Sequence, residues 1–141
     1  MNIARYPYFS NLKYILQRIT AVGVLFFLGA HIWLAMLQPR LVVGRPEPFA
    51  DIAHEMAHHV PTLLVYTLGV LGVSYHLANG LHTFAMGWGI ATSRRALRKL
   101  QAVIWVVFLG MLAMGWGSIY ALYDAGSQLP ATTVQQTNAS R

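Results

Sequence analysis

The chain has 141 residues, 56% of them hydrophobic and only 10% charged, a balance that points to lipid rather than water as its solvent. It contains no cysteine, which excludes disulfides, thiolate metal sites, iron–sulfur ligation and cysteine nucleophiles within the chain. The net charge of +6 does not imply a nucleic-acid partner, because most Lys and Arg flank apolar runs, where positive charge sets membrane topology.

The chain opens with an aromatic, proline-broken lead-in, Tyr6, Pro7, Tyr8 and Phe9, suited to the lipid headgroup level. Three runs are long enough to cross a hydrocarbon core roughly 30 Å thick, which takes about 20 apolar residues. They are Ile19 to Leu37, Thr62 to about Trp88, and Leu100 to about Tyr123. The first lacks a small-residue cleavage pattern and is expected to be a permanent span rather than a signal peptide. Between the first two runs lie Pro39, Pro46 and Pro48, then Phe49 to His59, whose pattern fits one short amphipathic helix ending before Pro61. From Asp124 the chain turns small and polar, and an irregular tail is expected.

The expected fold is all-α: a bundle of three transmembrane helices with a short amphipathic helix on the outer surface. Residues 1–125 form one transmembrane domain and 126–141 a polar tail. Seven basic residues (Arg5, Lys13, Arg18, Arg94, Arg95, Arg98, Lys99) fall on one side and three (Arg40, Arg45, Arg141) on the other. The positive-inside bias then places the amino terminus in the cytoplasm and the carboxyl terminus outside.

Ionisable groups inside lipid are costly and need partners, and His31 and His76 lie well inside their spans. Each can donate a hydrogen bond across a helix pair, or bind a metal. Around His76, the residues Gly69, Gly72, Asn79, Gly80, Thr83 and Gly87 recur at helical spacing on one face. Such a flat stripe suits close helix packing, and it equally suits a macrocycle lying under an imidazole, with Ser74, Asn79 or Thr83 as a hydrogen-bonding neighbour.

Depth separates the two histidines. His31 lies roughly 9 Å from the outer end of its helix and His76 roughly 21 Å below the outer start of the next, at about 1.5 Å per residue. Two axial nitrogens on one iron are only about 4 Å apart. If both ligate haem b, they serve two haems, each completed by a histidine from a partner membrane subunit or a second copy of this chain. His82, about 240° around the helix from His76, is open to two readings: a hydrogen bond to a haem propionate or a quinone, or a wetted interfacial histidine. Lys13 and Arg18 stand where snorkelling charges also stand.

The run Tyr14-Ile15-Leu16-Gln17-Arg18-Ile19-Thr20 leading to Ala30-His31-Ile32-Trp33, with Tyr75-His76-Leu77-Ala78-Asn79-Gly80-Leu81 and Trp88-Gly89-Ile90, resembles the cytochrome b anchor of succinate dehydrogenase and fumarate reductase. The likeness covers most of residues 10 to 123 and is closest to the last three helices of the five-helix, two-haem anchors. The resemblance implies that His31 binds a distal haem b and His76 a proximal one. It also implies a flavoprotein subunit carrying FAD, an iron–sulfur subunit on the cytoplasmic face, a second membrane-anchor subunit supplying the other ligands, quinone, and residence in the inner (cytoplasmic) membrane. In three-helix anchors of the wider family, an arginine matching Arg18 helps form the quinone pocket, with a hydroxyl residue four earlier where this chain has Tyr14.

His54-Glu55-Met56-Ala57-His58 fits the HExxH pattern of zinc proteases. The only nearby candidates for a third ligand, His59 and Asp51, lie in the same short loop, so a histidine-rich surface helix is the expected reading. The intramembrane histidines would also suit an anchor of a different quinone-linked dehydrogenase, or a haem-free assembly subunit that uses them for helix packing alone.

Overall fold

The computed structural model describes residues 9–42, 44, 46 and 48–129, so the lead-in residues Tyr6 to Tyr8 and the tail beyond residue 129 lie outside the described residues. Among the described residues there is no strand. The elements are α1 (Phe9–His31), a π-helical stretch (Ile32–Leu37), α2 (Gln38–Leu41), α3 (Phe49–His58), α4 (Val60–Gly87) and α5 (Arg94–Gln128). Three stretches, Leu12–Leu41, Val60–Gly87 and Arg94–Gln128, are long and apolar enough to cross a membrane. The all-α expectation with three spans and one short helix therefore holds.

The first span is longer than the hydrophobic run suggests. Lys13, Gln17 and Arg18 sit within helix, and at the other end the chain stays helical past Pro39 to Leu41. Proline has no N–H and its ring crowds the carbonyl one turn earlier, which ordinarily breaks a helix. Here the turn before it widens, and the Gln38 N–H bonds to the Trp33 carbonyl five residues back. Such π turns arise where a helix must absorb an irregularity.

The α4–α5 turn is dictated locally. Gly89 adopts φ +68°, and the Gly89 and Ile90 N–H groups return to the carbonyls of Met86 (3.1 Å) and Ala85 (3.0 Å), closing α4. Ser93 then caps α5, its Oγ accepting the Ala96 N–H at 3.1 Å. Arg94, Arg95, Arg98 and Lys99 crowd the first turns of α5, where the helix dipole disfavours positive charge. Their placement answers to the membrane surface rather than to helix stability.

The chain divides into two compact units, Met1–Phe26 with Val70–Ala113, and Phe27–Gly69 with Met114–Arg141. In the first, the most buried side chains are small, Ser74, Ala78, Ala85 and Ala91, with Ile104. In the second they are Ala53, Met56 and Ile119. Small residues let helix backbones approach closely, which is how helices pack where lipid offers no hydrophobic driving force. Large apolar side chains such as Leu25, Phe26, Val106 and Met114 point outward, as a lipid solvent requires.

The second unit corrects one expectation. The irregular chain expected from Asp124 is helical through Asp124, Ala125, Gly126 and Ser127 to Gln128, because Gly126 docks on α3. A Cβ there would drive into the Ala53 carbonyl and the Ala57 side chain. Gly126→Ala should therefore lower stability by about 1–3 kcal/mol, the usual range for overpacking. Gly117→Ala, where an added Cβ meets nothing within 4 Å, should leave it unchanged or slightly raised. Thermal unfolding of both variants in detergent checks this.

Candidate haem-ligand and quinone sites

In the first unit, His76 of α4 is partly buried, and its Nδ1 lies 3.3 Å from the Thr20 hydroxyl on α1. Thr20 has one proton, and its Oγ1 lies 2.6 Å from the Leu16 carbonyl, which can only accept. The hydroxyl thus donates to Leu16 and accepts from His76 Nδ1–H. With Nδ1 as the donor, the neutral ring keeps its lone pair on Nε2, which takes no hydrogen bond from a described residue. A metal-binding histidine is arranged in this way: one nitrogen donates to a neighbour while the other ligates.

Gln17, one turn before Thr20, reinforces the contact. Its Nε2 donates to the His76 carbonyl at 3.2 Å and its Oε1 accepts from Asn79 Nδ2 at 2.8 Å. A Cβ on Gly80 would come within 3.3 Å of the Gln17 amide, so the glycine is what lets α1 lie this close. At Gly72, one turn before His76, a Cβ would meet nothing within 4 Å. The glycine stripe thus serves helix packing at Gly80 and leaves an open, flat surface at Gly72 beside the imidazole.

The second unit also pairs a histidine with a hydroxyl, in an aromatic setting. His31 Nδ1 lies 2.9 Å from the Tyr66 hydroxyl. The imidazole stacks on Phe27 (centroids 6.0 Å apart, 13° between planes) and meets the Tyr66 ring edge-on (5.5 Å, 81°). Gly69 lies against the Phe27 ring so closely that a Cβ would collide with it, so packing at this glycine holds the aromatic cluster around His31. The π-helical stretch begins at the next residue, Ile32. Trp116 Nε1 donates to the Thr67 carbonyl at 3.2 Å, tying α5 to α4.

A cavity of about 430 Å³ lies within the first unit, lined mainly by apolar side chains of α1, α4 and α5 and by Lys13, Asn79, His82 and Tyr75. The buried Tyr75 hydroxyl has no hydrogen-bond partner among the described residues. Unmet polar groups in such surroundings mark places where a further ligand completes the bonding.

The structure distributes the remaining sequence candidates. Asn79 is engaged by Gln17 and lines the cavity, and His82 lines it too. Arg18 is exposed, stacked over the Tyr14 ring at 4.6 Å, and does not line the cavity. Ser74 is 1% exposed with Oγ unpartnered, but it sits about 200° around α4 from His76 and is not brought to that ring. Sequence reasoning missed Thr20, Gln17, Tyr66 and Tyr75. For the first two a signal existed: Gln17, Thr20, Val24, Phe27 and His31 recur at three- and four-residue spacing along one face of α1.

In the HExxH segment the glutamate is engaged at the α3–α4 junction. Glu55 Oε1 accepts from Thr62 Oγ1 at 3.1 Å and lies 3.2 Å from His59 Nδ1, which locks the α3–α4 junction. Among the described residues no three His, Asp or Glu side chains converge.

Fold and site together define a multi-pass membrane protein with intramembrane histidines set by hydroxyl partners. The chain belongs to the family of succinate dehydrogenase/fumarate reductase transmembrane subunits, whose family model matches residues 6–114. It is 31% identical over 121 residues to the succinate dehydrogenase cytochrome b558 subunit of Bacillus subtilis (strain 168), a match covering 85% of this chain and 58% of that subunit. It is 26% identical over 122 residues to the succinate dehydrogenase hydrophobic membrane anchor subunit of Thermoplasma acidophilum, covering 86% of this chain and 93% of that one. The chain thus spans little more than half the length of the Bacillus relative. No solved structure matches the chain significantly.

A double-mutant cycle on Gln17→Leu and Asn79→Leu, read by unfolding in detergent, should give a coupling of about 0.6 kcal/mol, the usual size for a hydrogen bond between membrane helices. Additive effects would contradict the bond.

Proposed function

We propose that this chain is the haem b-bearing membrane anchor of a succinate:quinone oxidoreductase, with His76 and His31 ligating separate haems through Nε2. The carrying observation is the Thr20 hydroxyl, which accepts a hydrogen bond from His76 Nδ1–H and leaves the Nε2 of the neutral ring free to bind metal. The Tyr66 hydroxyl does the same for His31 when Nδ1–H donates to it. The open backbone at Gly72 fits a flat group beside His76. The name of the Bacillus relative, a cytochrome b558 subunit, supports the same reading.

When bound, haem b supplies a one-electron centre inside the membrane, and the protein supplies its position, ligands and surroundings. A partner membrane subunit provides the second imidazole at each iron. FAD and the iron–sulfur clusters reside in partner subunits on the cytoplasmic side, where the Arg94 to Lys99 cluster of this inner-membrane chain also lies, with the carboxyl terminus outside. Quinone occupies the cavity in the first unit. Its apolar walls (Leu12, Leu16, Ile104, Phe108) suit a hydrophobic ring, the Tyr75 hydroxyl donates to a quinone oxygen, and His82 and Lys13 offer further polar contacts. Arg18, stacked on Tyr14, serves as a surface charge beside that region.

Two experiments test this reading. His76→Ala should remove one b-type component from the reduced-minus-oxidised spectrum of the purified complex and leave the other, and His31→Ala should do the reverse. Loss of both together, or of neither, contradicts separate ligands. Tyr75→Phe, which deletes one hydrogen bond, should raise the KM for quinone about five- to tenfold with the haem spectrum unchanged, since such a bond contributes about 1 kcal/mol.

A further inference from the structure

The α3 helix carries chemistry that the anchor role does not use. His54 and His58 stand one turn apart, their rings stacked with centroids 4.4 Å apart and planes 20° from parallel. His58 Nδ1 lies 3.1 Å from the His54 carbonyl. A carbonyl only accepts, so this nitrogen carries the proton, and in the neutral ring the His58 Nε2 lone pair is bare. The helix beneath is held in place, with Ala53 (0% exposed) and Met56 (3%) buried and Gly126 against the Ala53 carbonyl. The two imidazoles are therefore presented on a fixed helical support, one of them already in its ligating tautomer.

We propose that His54 and His58 form a binding site for a divalent transition-metal ion. Two metal–nitrogen bonds of about 2.0–2.1 Å at a tetrahedral angle require nitrogens about 3.4 Å apart with convergent lone pairs. The rings, now stacked with centroids 4.4 Å apart, meet this by turning out of the stack about their side-chain bonds. Imidazole ligands select ions such as Zn²⁺, Ni²⁺ and Cu²⁺ over Mg²⁺ and Ca²⁺, which require oxygen. Glu55 is held by His59 and Thr62, and no third side-chain ligand converges among the described residues, so water completes the coordination. The site binds metal without the catalytic glutamate that an HExxH protease needs.

The test is calorimetric titration of Zn²⁺ into the full chain, purified without a histidine tag, alongside His54→Ala, His58→Ala, the double variant and His59→Ala. Circular dichroism checks that each variant keeps its helix content. One Zn²⁺ should bind per chain at α3. Either single change at the pair should weaken it by more than about tenfold, since even changes outside the ligand shell cost metal sites roughly 10–100-fold. His59→Ala should retain full affinity, and Mg²⁺ should not bind. Zn²⁺ binding that is undiminished in the double variant, equal weakening by His59→Ala, or no saturable binding would overturn the proposal.

Discussion

A hydrocarbon interior permits no unpaired polar side chain at low cost, and that constraint organises both histidine sites. Thr20 illustrates how much it determines. Its single proton goes to its own helix at Leu16, so what it can give α4 is a lone pair, and His76 must answer with Nδ1–H. A packing hydrogen bond has thereby selected a tautomer. The same contact that joins two helices leaves the far nitrogen of the ring chemically available.

The glycines around these rings divide by task. Gly80 and Gly69 permit close approach, one to the Gln17 amide and the other to the Phe27 ring, and a side chain at either would push a neighbouring helix away. Gly72 faces open space. The stripe is thus not uniform: Gly80 and Gly69 serve packing, and Gly72 leaves room on the proposed haem side. His31 has a firmer aromatic setting, between Phe27 and Tyr66, and a hydroxyl partner able to donate or accept, so this contact alone does not impose its tautomer.

The spans are legible in the sequence because lipid demands long apolar runs, and α3 is legible from its proline-bounded, amphipathic pattern. Their ends are less so. Hydropathy points to Ile19 as the start of the first span, yet the helix begins at Phe9, since Lys13 and Arg18 are good helix formers that hydropathy penalises. Pro39 has the character of a stop but is accommodated by the π turn, and Gly126 has the composition of a tail but is covered by α3. His31 and His76 can be singled out because isolated ionisable residues stand out in apolar runs. Their partners cannot, because Thr20 and Tyr66 lie 56 and 35 residues away and nothing in local pattern pairs them. Ser74 is a neighbour of His76 by number, but helix geometry turns it to the opposite side, whereas Tyr75 faces the cavity.

Iron ligation by the Nε2 atoms of His31 and His76 is tested most directly by electron paramagnetic resonance of the oxidised, purified complex. Two low-spin ferric signals of the kind given by paired imidazoles are the expected result. A fully assembled complex whose spectrum contains no low-spin ferric haem would contradict the account.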